Sequence, residues 1–383
     1  MPSPQGSANL RTLVVLHPIF ALTGIVQALG GPLMPSLAAT HHLNDGQSGL
    51  LFLCYFAGTS MGAFFCRTNY ARAIAFGFFA MVLCSLAVAW APWPLLPGAF
   101  LLLGITDGVP MSGVSLYIGR TFAATCAPTL TMLNFTWSAG ALLAPLLASR
   151  VLIRFDYRAA FVLLSVFALI AGTACALFLR DSEEPWDPDP HTRTITPFPI
   201  VLVFALAAFL QVGIENTSAA WFSTFALRTA GGGMVRAAVS TSFYWTGFLA
   251  SRGLASIVLL RVRSAAVLRV ALVAALCAAV LLAATGSTPV RELAMLALGV
   301  SLAPIYPLVL AGFFARARHT SDSRWVLATA GFGGSVLPWI AGWLSVHTQS
   351  LRVGMCTIPA ALLVMLLVLP LLSGSAVLAG RTE

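Results

Sequence analysis

The chain has 383 residues, 59% of them hydrophobic and 9% charged, with a formal net charge of +9. A soluble domain carries about 25% charged residues, so a soluble enzyme, a secreted disulfide scaffold, a disordered chain and a nucleic-acid binder are all excluded. All 21 basic residues are arginine, which removes lysine chemistry such as Schiff bases and phosphate-loop lysines, and they stand singly between apolar blocks as membrane-flanking anchors do.

A helix crossing the hydrocarbon core needs about 20 apolar residues. Charge, proline and glycine punctuation divides the chain into twelve such blocks. They are predicted at 11–39, 47–66, 71–91, 95–120, 127–150 and 157–180, then at 197–228, 236–260, 264–285, 290–315, 324–347 and 351–377. The first block is too long for a cleavable signal and has no basic residue before Arg11. Between the sixth and seventh blocks lies DSEEPWDPDPHTRTIT, whose acids and prolines predict a solvated linker. The expected fold is an all-α polytopic membrane protein of twelve transmembrane helices in two pseudo-symmetric six-helix bundles. These are an N-terminal bundle (1–180), a cytoplasmic linker (181–196) and a C-terminal bundle (197–383).

With both termini inside, 13 arginines fall at inner loops and ends and 7 outside: Arg150, Arg154, Arg158, Arg228, Arg236, Arg291 and Arg352. That bias predicts cytoplasmic termini. The halves also echo each other. Gly140-x-x-x-x-Pro145 returns as Gly333-x-x-x-x-Pro338, and Gly24-Ile25 returns as Gly213-Ile214, as in transporters built from parallel repeats. Pro32, Pro35, Pro110, Pro145, Pro304, Pro307 and Pro338 predict bends within spans. Gly58 with Gly62, Gly104 with Gly108, and Ala139–Gly140 predict close helix packing. The seven cysteines form no CxxC pair and read as packing residues.

Ionisable groups inside a bilayer cost about 2.5–3.5 kcal/mol on insertion scales and mark functional cavities. Of the 12 acids, only Asp107 and Glu215 lie in mid-span. At 1.5 Å per residue, Glu215 is about 24 Å along its helix from Pro199 and Asp107 about 15 Å from Pro97, both near the midplane. Glu215 reads as a proton site, or as a carboxylate tied structurally to Arg252. Asp107 reads as a coupling or gating acid, or as a hydrogen bonder in a tight helix layer beside Gly104 and Gly108. Arg252 lies in the inner half of its span, where a lone guanidinium is costly, so it is expected in an inner-gate or helix-junction ion pair rather than in contact with substrate.

Sugar hydroxyls need paired donors and acceptors, and sugar C–H faces pack on rings. Gln27, Asn134, Gln211 and Asn216 supply mid-span amides. Trp137, Trp221, Tyr244, Trp245 and Tyr306 supply rings with polar edges. His17 lies in the inner part of the first span; His41 and His42 read as a solvated loop beside Asp45 rather than a metal site. No nucleophile–base constellation, zinc spacing or nucleotide loop is present, which disfavours an enzyme or an ATP-driven pump.

After the second span comes Gly62-Ala63-Phe64-Phe65-Cys66-Arg67-Thr68-Asn69-Tyr70-Ala71-Arg72. It resembles the loop signature G-x-x-x-D-R-x-G-x-x-R of the major facilitator superfamily, with Cys66 for the acid and Asn69 for the glycine. A narrower resemblance is to the fucose permease-like sugar transporter branch. It rests on Asn134-Phe135-Thr136-Trp137-Ser138-Ala139-Gly140, on Val212-Gly213-Ile214-Glu215 with Trp221, on Phe243-Tyr244-Trp245-Thr246-Gly247 with Arg252, and on Ala303-Pro304-Ile305-Tyr306-Pro307. The resemblance implies that spans one, four, seven and ten line a central cavity. It also implies gating roles for Arg67, Arg72 and Arg252, and makes Asp107 the counterpart of a fourth-span acid. The first-span carboxylate of fucose permease falls near Gly31.

The expected function is a secondary active transporter that moves a small neutral polar solute, a monosaccharide, with protons by alternating access. Glu215 and Asp107 would couple to the proton, or to sodium in its place, with no cofactor. The partners are the small-molecule substrate and the lipid bilayer, not nucleic acid, and the chain is expected to be a monomer in a bacterial inner membrane. The alternative is a proton-driven exporter of drugs or of apolar or cationic metabolites. Mid-span amides that converge on Glu215 favour the sugar; amides that face other helices favour the drug.

Overall fold

The computed structural model describes residues 4–66, 69–122, 126–180, 196–230, 232–259, 261–316 and 323–373. The first half contains α1 (Pro4–His41), α2 (Asp45–Gly62), α3 (Tyr70–Trp90), α4 (Leu96–Thr121), α5 (Cys126–Val151) and α6 (Tyr157–Phe178). The second contains α7 (Phe198–Ala230), α8 (Gly233–Leu259), α9 (Ser264–Ala284), α10 (Thr288–Leu302) and α11 (Ile305–Phe314), followed by α12 (Ser323–Thr348), α13 (Leu351–Met355) and α14 (Thr357–Ser373). The described residues form no strand. Arg67 and linker residues 181–195 lie outside the described residues.

The tenth span is not the single helix expected over 290–315. It breaks after Leu302, because Pro304 and Pro307 lack the N–H groups that would close the ladder onto Val300 and Ala303. The twelfth breaks after Met355, where Pro359 removes the donor for the Met355 carbonyl. Eleven of the spans are long and apolar enough to cross a membrane. The remaining one, α8, is helical over 27 residues but made polar by Arg236, Ser240, Thr241, Ser242 and Arg252.

Both halves pack by one plan. In the first, α1 lies on α5, α2 on α4 and α3 on α6; in the second, α7 lies on α12, α8 on α10 and α9 on α14. Glycines set the closest crossings. A Cβ on Gly24 would strike the Trp137 carbonyl, and one on Gly140 the Ala21 carbonyl. The matching pair in the second half, Gly213 and Gly333, faces the Gly333 and Phe209 carbonyls. Gly58, Gly62, Gly104 and Gly108 lock α2 to α4 as their spacing predicts.

The outer arginines repeat too. Arg158, second residue of α6, donates from Nε to the Ala89 carbonyl in the last turn of α3 at 3.1 Å. Arg352, second residue of α13, donates from Nη1 to the Ala283 carbonyl in the last turn of α9 at 2.7 Å. Each pair is 69 residues apart in the chain. Arg291 does the same for α7, through Thr229 at 3.2 Å. These guanidinium groups satisfy orphan helix-end carbonyls and oppose the negative end of the helix dipole.

Candidate functional site

The connections α1–α2, α7–α8 and α12–α13 share one end of the bundle, called here the latch end; Arg180 and Thr196 lie at the other, the linker end. At the latch end the two halves are joined. Asn44 caps α2 through reciprocal hydrogen bonds with Gln47, which makes Asp45 the first helical residue and turns its carboxylate inward. That carboxylate accepts from Arg228 Nη1 at 2.6 Å and Nη2 at 2.5 Å, and also from Ser345 Oγ. Asp45 thus ties α2 of one half to α7 and α12 of the other. Deeper in the same seam, Gly31 of α1 packs on the Ala219 carbonyl of α7, and Phe52 meets the Trp221 ring edge-on at 5.6 Å. Toward the linker end, α4 makes no comparable contact with α10 or α11 among the described residues. The molecule is closed at the latch end. Asp45 was expected in a loop; the capping box Asn44-x-x-Gln47 is the sequence signal that could have placed it.

The central cluster is built from both halves. Glu215 on α7 is half-buried and in electrostatic reach of Arg252 and Tyr244 on α8 and Tyr306 on α11. Arg252 crosses to α5, donating from Nη1 to Ser138 Oγ at 2.9 Å and to the Asn134 carbonyl at 3.2 Å. Its guanidinium lies 4.6 Å from the Phe248 ring centroid and 5.5 Å from that of Trp137, within cation–π range. Trp137 and Trp245 touch edge-on at 5.9 Å, and Trp245 meets Tyr244 at 5.0 Å. In this cluster four buried polar atoms are unpaired: Trp137 Nε1, Trp245 Nε1, Tyr244 OH and Arg252 Nε. Glu215 itself has no hydrogen-bond or ion-pair partner among the described residues. The rim formed by half-buried Arg252 and Tyr306 and exposed Asn134 lies in the linker half of the bundle.

This arrangement brings together Glu215, Arg252, Trp137, Tyr244, Trp245 and Tyr306, with Asn134 at the edge. The other amides go elsewhere. Asn134 turns its Nδ2 to the Leu130 carbonyl of its own helix. Gln211 donates to the Leu302 carbonyl at 3.1 Å, satisfying the end of α10 at the break. Asn216 donates to the Gly334 carbonyl at 3.2 Å, which Pro338 leaves without a helical donor. Trp221 donates from Nε1 to the Pro338 carbonyl at 2.8 Å. Three of the four amides therefore serve backbone carbonyls rather than converging on Glu215; for Gln211 and Asn216 the reason is that a helix irregularity creates a buried acceptor that must be met.

Gln27 is the exception. It holds in Gly24-x-x-Gln27 the place that Asn216 holds in Gly213-x-x-Asn216, yet its Oε1 is buried without a partner. It lines a small pocket with Phe52, Tyr55, Phe56, Phe100 and Ala219. Asp107 is fully buried behind that pocket. Its Oδ2 accepts from Tyr55 OH at 2.7 Å and its Oδ1 is unpaired. Asp107 is thus held in the α2–α4 layer, apart from the Glu215 cluster, with Tyr55 between it and the pocket. Arg72 is exposed at the start of α3, and Arg67 lies outside the described residues. His17 bonds Thr136 at 2.8 Å, and His41, at the end of α1 rather than in a loop, bonds Tyr157 at 2.7 Å.

The sequence profile of the Major Facilitator Superfamily matches residues 16–323. A glucose/galactose transporter of Brucella abortus is 24% identical over 364 residues, covering 87% of each chain. Among solved structures, a D-xylose-proton symporter superposes with TM-score 0.73 at 15% identity, covering 93% of this chain and 97% of that one. A transporter of the same superfamily, FucP, in the outward conformation, superposes with TM-score 0.63 at 14% identity, covering 94% and 98%.

Proposed function

Because the chain belongs to the Major Facilitator Superfamily, we propose that it carries a monosaccharide across a bacterial inner membrane together with protons, by alternating access. The observation that carries this reading is the set of unpaired donors on Trp137, Trp245, Tyr244 and Arg252 around an unpartnered Glu215. A polyhydroxyl solute fits both parts: its oxygens accept from the ring N–H and O–H groups, and its hydroxyls donate to the carboxylate. Its C–H faces pack on the indole rings. The names of the relatives point to the same substrate class.

With both termini cytoplasmic, the latch end faces outward and the described state is closed to the outside. Glu215 is the proton site. In its protonated form the carboxyl donates to a sugar hydroxyl. Once Glu215 is neutral, Arg252 keeps in its own half only the Phe248 ring, against Ser138, the Asn134 carbonyl and the Trp137 ring of the other. This links protonation to the contact between halves. A 100 mV potential supplies about 2.3 kcal/mol for each charge moved. Asp107, reached through Tyr55, is the second candidate for coupling. Sodium would replace the proton if the carboxylate and carbonyls bind it.

The test is uptake of labelled monosaccharides into proteoliposomes under an inward proton gradient, with wild type beside Glu215→Gln. Wild type is expected to accumulate one sugar, and the variant only to exchange it. A second reading is favoured by the amides that serve other helices: a proton-driven exporter of apolar or cationic solutes. Expulsion of lipophilic cations, with no sugar moved in either direction, would establish that reading instead.

A further inference from the structure

Seven arginines were assigned to the latch end, against the charge bias that the topology sets. The structure accounts for five. Arg158 pairs with Asp156 and the Ala89 carbonyl, Arg228 with Asp45, and Arg236 lies 3.8 Å from Glu292. Arg291 and Arg352 serve helix-end carbonyls. Arg150 and Arg154 remain. Both are exposed, and neither side chain has a partner among the described residues.

These two residues flank Val151, the last residue of α5, which lines one end of an open apolar groove between α1, α5 and α6. Ile25, Leu29, Leu147, Val151, Leu163 and Phe167 line the groove. Leu163 and Phe167 are exposed, so the groove opens sideways, toward the hydrocarbon, and not into the central cluster. An apolar slot at bilayer depth is capped by two unneutralised guanidinium groups at headgroup depth. We propose that it is a binding site for one anionic glycerophospholipid, with an acyl chain in the groove and the phosphate on Arg150 and Arg154. Guanidinium groups recognise phosphate through forked donors, and basic residues at a membrane surface attract anionic lipid.

The test is native mass spectrometry of the full chain in detergent. Phosphatidylglycerol and phosphatidylcholine with identical chains are added in equal amounts. Wild type should retain one phosphatidylglycerol with a preference of roughly thirtyfold, the effect of two basic residues. Arg150→Ala with Arg154→Ala should abolish the preference. Leu163→Trp, which fills the groove and leaves both arginines, should abolish retention. Excess inorganic phosphate should not displace the lipid. Equal retention of the two lipids by wild type, an unchanged preference in the double arginine variant, or retention undiminished by Leu163→Trp would each overturn the proposal. Displacement by inorganic phosphate alone would reduce it to a headgroup charge contact and overturn the groove.

Discussion

Replacing Asp45 by asparagine should open the latch end without unfolding either half. Two unit charges about 4 Å apart attract by about 1 kcal/mol in water and about 4 kcal/mol at an effective dielectric of 20. The Asp45 side chain is 10% exposed and that of Arg228 48% exposed, so the pair lies between those limits. Exposed pairs measure roughly 0.2–1 kcal/mol; the bidentate geometry and the third contact from Ser345 raise this one. A value of about 1.4 kcal/mol corresponds to a tenfold change in the closed-to-open ratio. The assay is electron–electron distance measurement between spin labels at Ala39 and Thr348, both exposed at the latch end in opposite halves, in a background without the seven native cysteines. Asp45→Asn should enlarge the long-distance population about tenfold. Arg228→Gln should do the same, and the double variant should add little, because both remove one interaction. An unchanged distance distribution in Asp45→Asn, or full additivity of the two variants, would refute the reasoning.

The glycine crossings predict two different phenotypes. Gly24→Ala and Gly140→Ala push α1 and α5 apart within one half and should lower thermal stability in detergent, whereas Gly31→Ala acts between halves and should shift the same spin-label distances toward open while melting near wild type. Arg158→Gln and Arg352→Gln each uncap an equivalent helix; each should cost about 1 kcal/mol, or roughly 2–4 °C in Tm, and a large difference between them would contradict the repeated cap. Asn216→Leu leaves the Gly334 carbonyl buried without a donor and should cost about 1–3 kcal/mol in unfolding measurements, with Asn216→Gln tested for partial rescue.

The spans and their two-half arrangement were legible because the bilayer imposes a length and an apolar composition that survive in eleven of the twelve blocks, and the polar α8 was found by its length between punctuation. The glycine pairs were legible for a related reason: contact between backbones demands the smallest side chain whatever its surroundings. The site was harder to read. Gln211, Asn216 and Trp221 have the chemistry of sugar ligands, yet their donors go to the Leu302 carbonyl at the end of α10, the Gly334 carbonyl that Pro338 sets free, and the carbonyl of Pro338 itself. A residue type records what can be donated; the acceptor is fixed only by tertiary packing. Asp45 was hidden in the opposite way. Placed among loop acids by its position, it became a junction residue because the Asn44 cap starts α2 at Asp45, two residues before the predicted span. Arg158 and Arg352 carried a signal that spacing alone could have exposed, since their partners lie at the same distance back in the chain.

The bend at Pro338 has a consequence for how the molecule can move. A proline in a long helix is readily imagined as a pivot. Here the carbonyl it frees is held by Asn216, and its own carbonyl by Trp221, both from α7. With Gly213 and Gly333 pressing the same two backbones together, α7 splints the bend and the pair behaves as one curved beam. Displacement therefore passes along this beam from the central cluster to Arg228 and Ser345 at its far end. A shift of Glu215 is felt at Asp45 as lever arm rather than lost as flexing in between.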